Sequence, residues 1–145
     1  AVSALRSEDG RSFAAWSYRG FLLWRDETEQ FEEVKNSWPE RITFSPDGKW
    51  LAMSAAKDLS LYSMQDKTVR KIAQAKIYTF GWCANSKRVW YVTEGYLTVI
   101  DLDGQKTATV KTGRNPNRGT YNARNSLFVT VGEDYRQHVW TEEGK

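Results

Sequence analysis

The sequence predicts an all-β fold built from a repeated unit of about 38 residues. The turn SPDG at residues 45–48 has a counterpart, SEDG, at 7–10 and another, CANS, at 83–86. A fourth copy, NARN at 122–125, follows after a spacing of 39. Apolar residues recur with the same spacing after each turn, at Phe13, Leu51, Val89 and Phe128. No segment has the 3.6-residue apolar period of a long helix.

Each unit predicts four short strands. The first strands are SALRS, RITFS, YTFGW and TYNAR. The second strands are apolar runs (SFAAW, KWLAMS, RVWYV, LFVTV), which are typical of a strand buried on both faces. The third strand alternates, as in LSLYS and LTVID, which predicts one buried and one open face. The fourth is short and polar, as in QFEEV and TVRKI, which suits an outer edge protected by charge.

The columns of the repeat extend into the third and fourth strands. Leu23, Leu61 and Val99 share one column, and the same count adds His138 from the fourth unit. The next column then joins Trp24, Tyr62, Ile100 and Val139. In the fourth strand the column is Val34, Ile72 and Val110. Several columns that share one period indicate a true repeat.

Repeated units of four antiparallel strands and about forty residues are typical of β-propeller blades. The predicted blades are residues 2–39, 40–76, 77–115 and 116–145, and the last lacks its outer strand. We therefore expect one propeller domain, or a fragment of one, with about four blades of four strands. The ring could close tightly on four blades, belong to a larger propeller, or be completed by a partner; we favour the larger propeller. The last two arrangements require something to cover the end blades.

The repeat also resembles a known family. FSPDGKWLA at 44–52, LSLYSM at 59–64 and LTVIDLDGQ at 97–105 are similar to the blades of TolB-like and WD-repeat-like propellers. The Gly-His dipeptide of WD repeats is missing, and a single histidine cannot supply their Asp-His-Ser-Trp sets, so the resemblance favours the TolB-like side. It implies a binding face made by the loops between strands two and three and between blades. It also implies a periplasmic or other extracytoplasmic location.

Composition narrows the classes of protein. Forty per cent hydrophobic residues and seven tryptophans argue against disorder, and one cysteine excludes an internal disulfide. The net charge of +3 is too small for a concentrated nucleic-acid-binding face, and no apolar run is long enough to insert directly into a membrane. Charge is uneven along the chain, because residues 26–40 contain six acids whereas 105–130 contain five bases and no acid. This asymmetry suits electrostatic complementarity with a partner or between neighbouring chains.

The sequence offers no coherent catalytic set, and we predict no catalytic residue, no metal and no cofactor. His138 is the only histidine and lies in an apolar column, so we interpret it as a strand residue. Cys83 is predicted to be buried, although Lys87 and Arg88 leave a reactive thiolate as an alternative. The carboxylates of residues 26–34 lie on a predicted outer edge, where solvation keeps them ordinary.

The predicted function is non-catalytic binding of a protein or peptide within a larger assembly, as a scaffold. The binding face would gather residues from the loops between strands two and three and between blades: Tyr18, Arg19, Trp38, Lys57, Tyr96, Arg114, Arg118 and Tyr135. Self-association that completes or caps the ring is a further expectation. Alternatives are the propeller of a serine peptidase of the prolyl-oligopeptidase type, an extracytoplasmic sensor of a membrane-bound regulator, or a glycan-binding rim. Nucleic acid is not an expected partner.

Overall fold

The computed structural model describes residues 3–35, 37–112, 118–131 and 135–145, which form strands and turns without a helix. The first two sheets contain β1 (Ser3–Arg6), β2 (Ser12–Ser17), β3 (Gly20–Arg25) and β4 (Gln30–Glu33), then β5 (Arg41–Phe44), β6 (Trp50–Ala55), β7 (Asp58–Ser63) and β8 (Val69–Gln74). The third contains β9 (Thr79–Trp82), β10 (Arg88–Thr93), β11 (Tyr96–Asp101) and β12 (Lys106–Lys111). The fourth contains β13 (Arg118–Asn122), β14 (Leu127–Val131) and β15 (Gln137–Thr141). Each sheet is one blade.

Every blade is an antiparallel meander in which sequential strands are neighbours. The connections between second and third strands, and those between blades, therefore lie at one end of the molecule, which we call the loop end. The turns after the first strands, which contain Asp-Gly in blades 1 and 2, lie at the opposite end, which we call the turn end. The repeat thus fixes the end at which each connecting residue lies.

The blades pack face to face through three apolar junctions. We call the face of a sheet that points to the following blade its forward face, and the opposite one its rear face. Leu23 on the forward face of blade 1 is in one cluster with Leu51 of blade 2. Leu61 likewise packs with Val89, and Val99 with Phe128. The first strands of successive blades also contact each other, β1 with β5, β5 with β9 and β9 with β13.

Burial along the strands confirms part of the predicted pattern. The central residues of β6 and β10 are buried on both faces, as predicted. The same holds for most of β7 and β11, so the predicted alternation of the third strand is wrong in blades 2 and 3. Neighbouring blades cover both faces there. In β2 and β14 one face stays open, because these strands belong to the first and last blades.

The register of the fourth blade differs from the predicted columns by one residue. Val139 of β15 is paired with Val129, and Trp140 with Phe128. In blade 1 the matching pairs are Leu23 with Ala14 and Trp24 with Phe13. Val139 therefore takes the Leu23 position, and Trp140 the Trp24 position. The columns that placed His138 with Leu23 and Val139 with Trp24 are wrong, since one extra residue precedes β15 and reverses the face of every side chain.

A β-bulge changes one further column. In blade 2 the register shifts between Leu59 and Ser60, so Leu59 is paired with Ala73 rather than with Ile72. The corresponding strands of blade 1 pair without a shift, whereas those of blade 3 have a register shift two residues later, between Val99 and Ile100. The bulge inserts one residue into the outer strand. It cannot be detected in the sequence, because Ile72 lies 38 residues from both Val34 and Val110.

The four blades form an open arc. Among the described residues, the three apolar clusters join consecutive blades, and none joins blade 4 to blade 1. The rear face of blade 1 is open at Phe13, Leu22 and Phe31, and the forward face of blade 4 at Val131 and Val139. Tight closure on four blades would bury these side chains and is not what the structure shows. Over the described ranges, no helix could span a membrane.

Candidate partner-binding site

The loop end carries most of the residues that the repeat predicts for a binding face. Tyr18 and Arg19 form the β2–β3 turn, Lys57 lies in the β6–β7 turn, and Tyr96 begins β11. Tyr135 precedes β15 and is 91% exposed. All five side chains are exposed and lie on four successive blades. The arc therefore presents them as a row of separate contacts rather than as one pocket.

The residues between blades are placed less completely. Trp38, between β4 and β5, is exposed, whereas the adjacent Pro39 is buried. The proline is therefore packed away from solvent, whereas the Trp38 indole is exposed. Arg114 lies outside the described residues. Arg118 is the first residue of β13, and its side chain also lies outside the described part of the chain.

Tyr18 and Arg19 form a cation–aromatic pair at the tip of blade 1. The guanidinium carbon lies 5.4 Å from the centroid of the Tyr18 ring, and Arg19 Nε donates a hydrogen bond of 3.0 Å to the Tyr18 hydroxyl. The contact holds the charged group and the ring together in water. Such pairs offer a partner both a cation and an apolar surface.

Two similar pairs lie where blades 2 and 3 meet, and the sequence analysis did not identify them. The Arg41 guanidinium lies 5.5 Å from the Phe80 ring centroid, and Arg41 Nη2 donates to the Tyr78 carbonyl at 2.8 Å. Lys76 Nζ lies 5.5 Å from the Tyr78 ring centroid. Arg41 and Lys76 are exposed. In the sequence, the spacing of Lys76 and Tyr78 was a possible signal, whereas Arg41 contacts Phe80 of the adjacent blade.

A groove of about 410 Å³ opens between the outer strand of blade 2 and blade 3, beside Tyr96. Its lining includes Gln74, Thr93 and the buried Tyr91 and Thr98. Burial is the main cause that raises the pKa of Tyr91, and its hydrogen bond with Thr98 partly opposes this. Tyr91 is therefore a neutral phenol at physiological pH. The groove therefore places hydroxyl groups beside Tyr96, where they can form hydrogen bonds with polar groups of a partner.

The turn end is organised by hydrogen bonds within its own turns. Ser7 Oγ donates to Asp9 Oδ1 at 2.7 Å, and the Arg11 backbone N–H donates to the same oxygen at 3.0 Å. Ser45 and Asp47 repeat the arrangement in blade 2. The Arg11 N–H, followed by the Ser7 hydroxyl, lowers the pKa of Asp9. These carboxylates cap turns, and no group of three metal-ligating side chains occurs among the residues whose placement is known.

Cys83 and His138 both make packing contacts within the sheets. Cys83 is fully buried in the junction between blades 3 and 4. Burial, and then a hydrogen bond and charge from Glu142, raises the pKa of the thiol far above its ordinary value. Since the thiolate is the reactive form, the reactive alternative for Cys83 is not supported. His138 stacks on Trp140 with ring centroids 6.1 Å apart.

Comparisons with known proteins support the fold. No protein-family model and no curated protein sequence matches the chain. Hydrazine synthase of Kuenenia stuttgartiensis matches with a TM-score of 0.70 and 18% identity over 87% of this chain and 40% of its own. The C-terminal WD40 domain of Sif2 matches with a TM-score of 0.76 and 15% identity, over 95% of this chain and 42% of its own. A chain in the mitotic checkpoint complex matches with a TM-score of 0.69 and 14% identity, over 92% of this chain and 44% of its own.

The chain thus spans less than half the length of each of these solved structures. At such identities the likeness concerns the fold alone. Together with the four antiparallel sheets, it shows a β-propeller architecture of the kind found in WD40 domains, with about four blades.

Proposed function

We propose that the chain is a non-catalytic propeller module that binds a protein or peptide through its loop end, as part of a larger assembly. One observation carries the proposal. The three cation–aromatic pairs of the described residues, Tyr18–Arg19, Phe80–Arg41 and Tyr78–Lys76, all lie at this end. The similarity to the WD40 domain of Sif2 and to a chain of the mitotic checkpoint complex supports a protein as the partner.

The chemistry of these pairs favours an acidic segment that also carries aromatic or aliphatic side chains. Arg19, Arg41 and Lys76 can each donate hydrogen bonds to a carboxylate, while the rings beneath them offer flat apolar surface. Tyr and Arg are among the residue types that dominate the energy of protein interfaces. The exposed Trp38, Tyr96 and Tyr135 extend the same chemistry along the arc.

A random peptide library displayed on phage tests the proposal without a known partner. We expect the chain to select peptides enriched in Asp or Glu next to an apolar residue. A loop-end variant, Arg19→Ala with Arg41→Ala and Lys76→Ala, should weaken binding of the selected peptides by at least roughly 100-fold, because each of the three lost contacts costs about 1–2 kcal/mol. Affinity is measured by calorimetry, and circular dichroism checks the fold.

A matched control removes the same charge from the other end. The turn-end variant carries Arg11→Ala, Lys49→Ala and Lys87→Ala, all at exposed positions. It should bind the selected peptides with unchanged affinity. Equal loss in both variants would reduce the effect to net charge, and no loss in the loop-end variant would place the binding surface elsewhere; either result contradicts the proposal.

A further inference from the structure

We propose that two copies of this chain associate head to tail, with the forward face of blade 4 of one copy on the rear face of blade 1 of the other. The two contacts would close a ring of eight blades around a two-fold axis. The proposal concerns the two open end faces, and it stands independently of the partner-binding site at the loop end.

Phe13 and Trp24 on the rear face of blade 1 have counterparts that are buried in blades 2 and 3, whereas Phe31 aligns with residues of the outer strands that are exposed. Phe13 is 43% exposed, whereas Leu51 and Val89 at the same position are 0% exposed. Trp24 is half-buried and packs on exposed Phe31, with ring centroids 5.0 Å apart. The positions of Trp24 in the next two blades hold fully packed side chains, Tyr62 and Ile100. The rear face of blade 1 therefore has the composition of a blade junction without the preceding blade.

The forward face of blade 4 is the complementary half of such a junction. Val139 is 57% exposed, whereas Leu23 and Leu61 at the same position are 0% exposed. Val129 and Val131 continue the apolar surface along β14. In each of the three junctions that the structure contains, a forward face of this type covers a rear face of the type found on blade 1.

A second copy fits these faces because each chain carries one face of each type. In a ring of two copies, each forward face of blade 4 covers one rear face of blade 1. Eight blades is within the range in which propellers close, and a closed two-fold arrangement avoids the open filament that head-to-tail contacts otherwise produce. Within one chain, the open arc keeps the two faces apart.

The turns and first strands supply specific contacts for the same geometry. At the junction of blades 2 and 3, the Asp47 N–H donates to Ser86 Oγ at 3.0 Å, so the first turns of adjacent blades touch. In the proposed dimer this position brings exposed Arg124, the one charged residue of the β13–β14 turn, next to exposed Glu8 and Asp9. The β1–β2 turn also contains exposed Arg11, but its two acids outnumber this base, so its charge is opposite to that of Arg124.

A second contact follows from the first strands. Trp82 Nε1 donates to the Thr43 carbonyl across the junction of blades 2 and 3, at 3.2 Å. The register places Arg6 at the Trp82 position of blade 1 and Thr120 at the Thr43 position of blade 4. We expect Arg6 of one copy to donate to the Thr120 carbonyl of the other. This gives the exposed Arg6 a partner in a column that otherwise holds aromatic residues.

Sedimentation velocity on the purified chain tests the proposal. The wild-type chain should have twice the mass of a single chain. Phe13→Arg blocks the rear face of blade 1, and Val139→Arg blocks the forward face of blade 4. Because both positions are partly exposed, each variant should fold, as circular dichroism can check, and each alone should have the mass of one chain. A one-to-one mixture should recover the mass of two chains, since it retains one intact pair of faces.

Each other outcome overturns the proposal. A wild-type chain that stays single at concentrations of about 100 µM, or that forms an open series of larger species, contradicts the closed dimer. A Val139→Arg variant that remains paired would show contact between identical faces.

The control Tyr96→Arg changes an exposed loop-end residue and should leave the dimer intact. Single-chain variants should still bind the selected peptides, so failure here is distinguishable from failure of the proposed function.

Discussion

At the scale of single residues, paired positions across strands show how each junction is filled. The first and second strands of blade 2 pair Thr43 with Ala52, whereas those of blade 3 pair Gly81 with Trp90. A Cβ atom at position 81 would lie 2.8 Å from the Trp90 ring. Gly81 is therefore required by the volume of the indole and not by a turn. In blade 2 the larger side chain of the pair is on the first strand, whereas in blade 3 it is on the second strand.

This pairing predicts a coupled effect on stability. Gly81→Thr should lower the free energy of unfolding by about 1–3 kcal/mol through overpacking, and Trp90→Ala by about 3–5 kcal/mol through a cavity. The double variant recreates the Thr-Ala pair of blade 2, so it should be more stable than the sum predicts by about 1 kcal/mol or more. Urea unfolding at constant m-value measures all three. Strict additivity would show that the two positions do not compete for one space.

At the scale of elements, the repeat predicted the strands and their order, because apolar side chains at a fixed spacing determine which strands can pack. It also placed Tyr18, Lys57 and Tyr96 at one end, since connections follow from strand order. It failed at β15, where one extra residue reversed the faces. It did not predict the pair of Arg41 and Phe80, because these side chains come from two adjacent blades and meet only in the folded structure.

The observed register of β15 makes its own prediction. Trp140 faces the junction, where its Nε1 donates to Thr130 Oγ1 at 3.2 Å, while Val139 points to the open end face. In a Phe13→Arg background, which blocks the proposed dimer, Trp140→Ala should lower the free energy of unfolding by about 2 kcal/mol or more. Val139→Ala should change it by less than about 0.5 kcal/mol. Chemical denaturation of the two variants checks the order, and the reverse order would restore the register predicted from the sequence.

At the scale of the whole molecule, each of the three junctions contains one buried weak acid. Tyr62 lies in the first, Tyr91 in the second and Cys83 in the third. Burial is the main cause that raises the pKa of each group above its ordinary value, which is 10.0 for the tyrosines and 9.0 for the cysteine. The folded chain thus holds these protons more tightly than the unfolded chain does. Alkaline pH acts on all three junctions together.

The sign of the pH dependence follows from this difference. At about pH 8 and below, both states are protonated, and the stabilising contribution is complete. As the pH rises through the unfolded-state values, the unfolded chain releases protons that the folded chain retains, so the free energy of unfolding falls. Urea unfolding at about pH 8 and pH 10.5 should show this loss in the wild-type chain. It should be much smaller in a variant with Tyr62→Phe, Tyr91→Phe and Cys83→Ala, and an equal loss in that variant would assign the effect to groups outside the junctions.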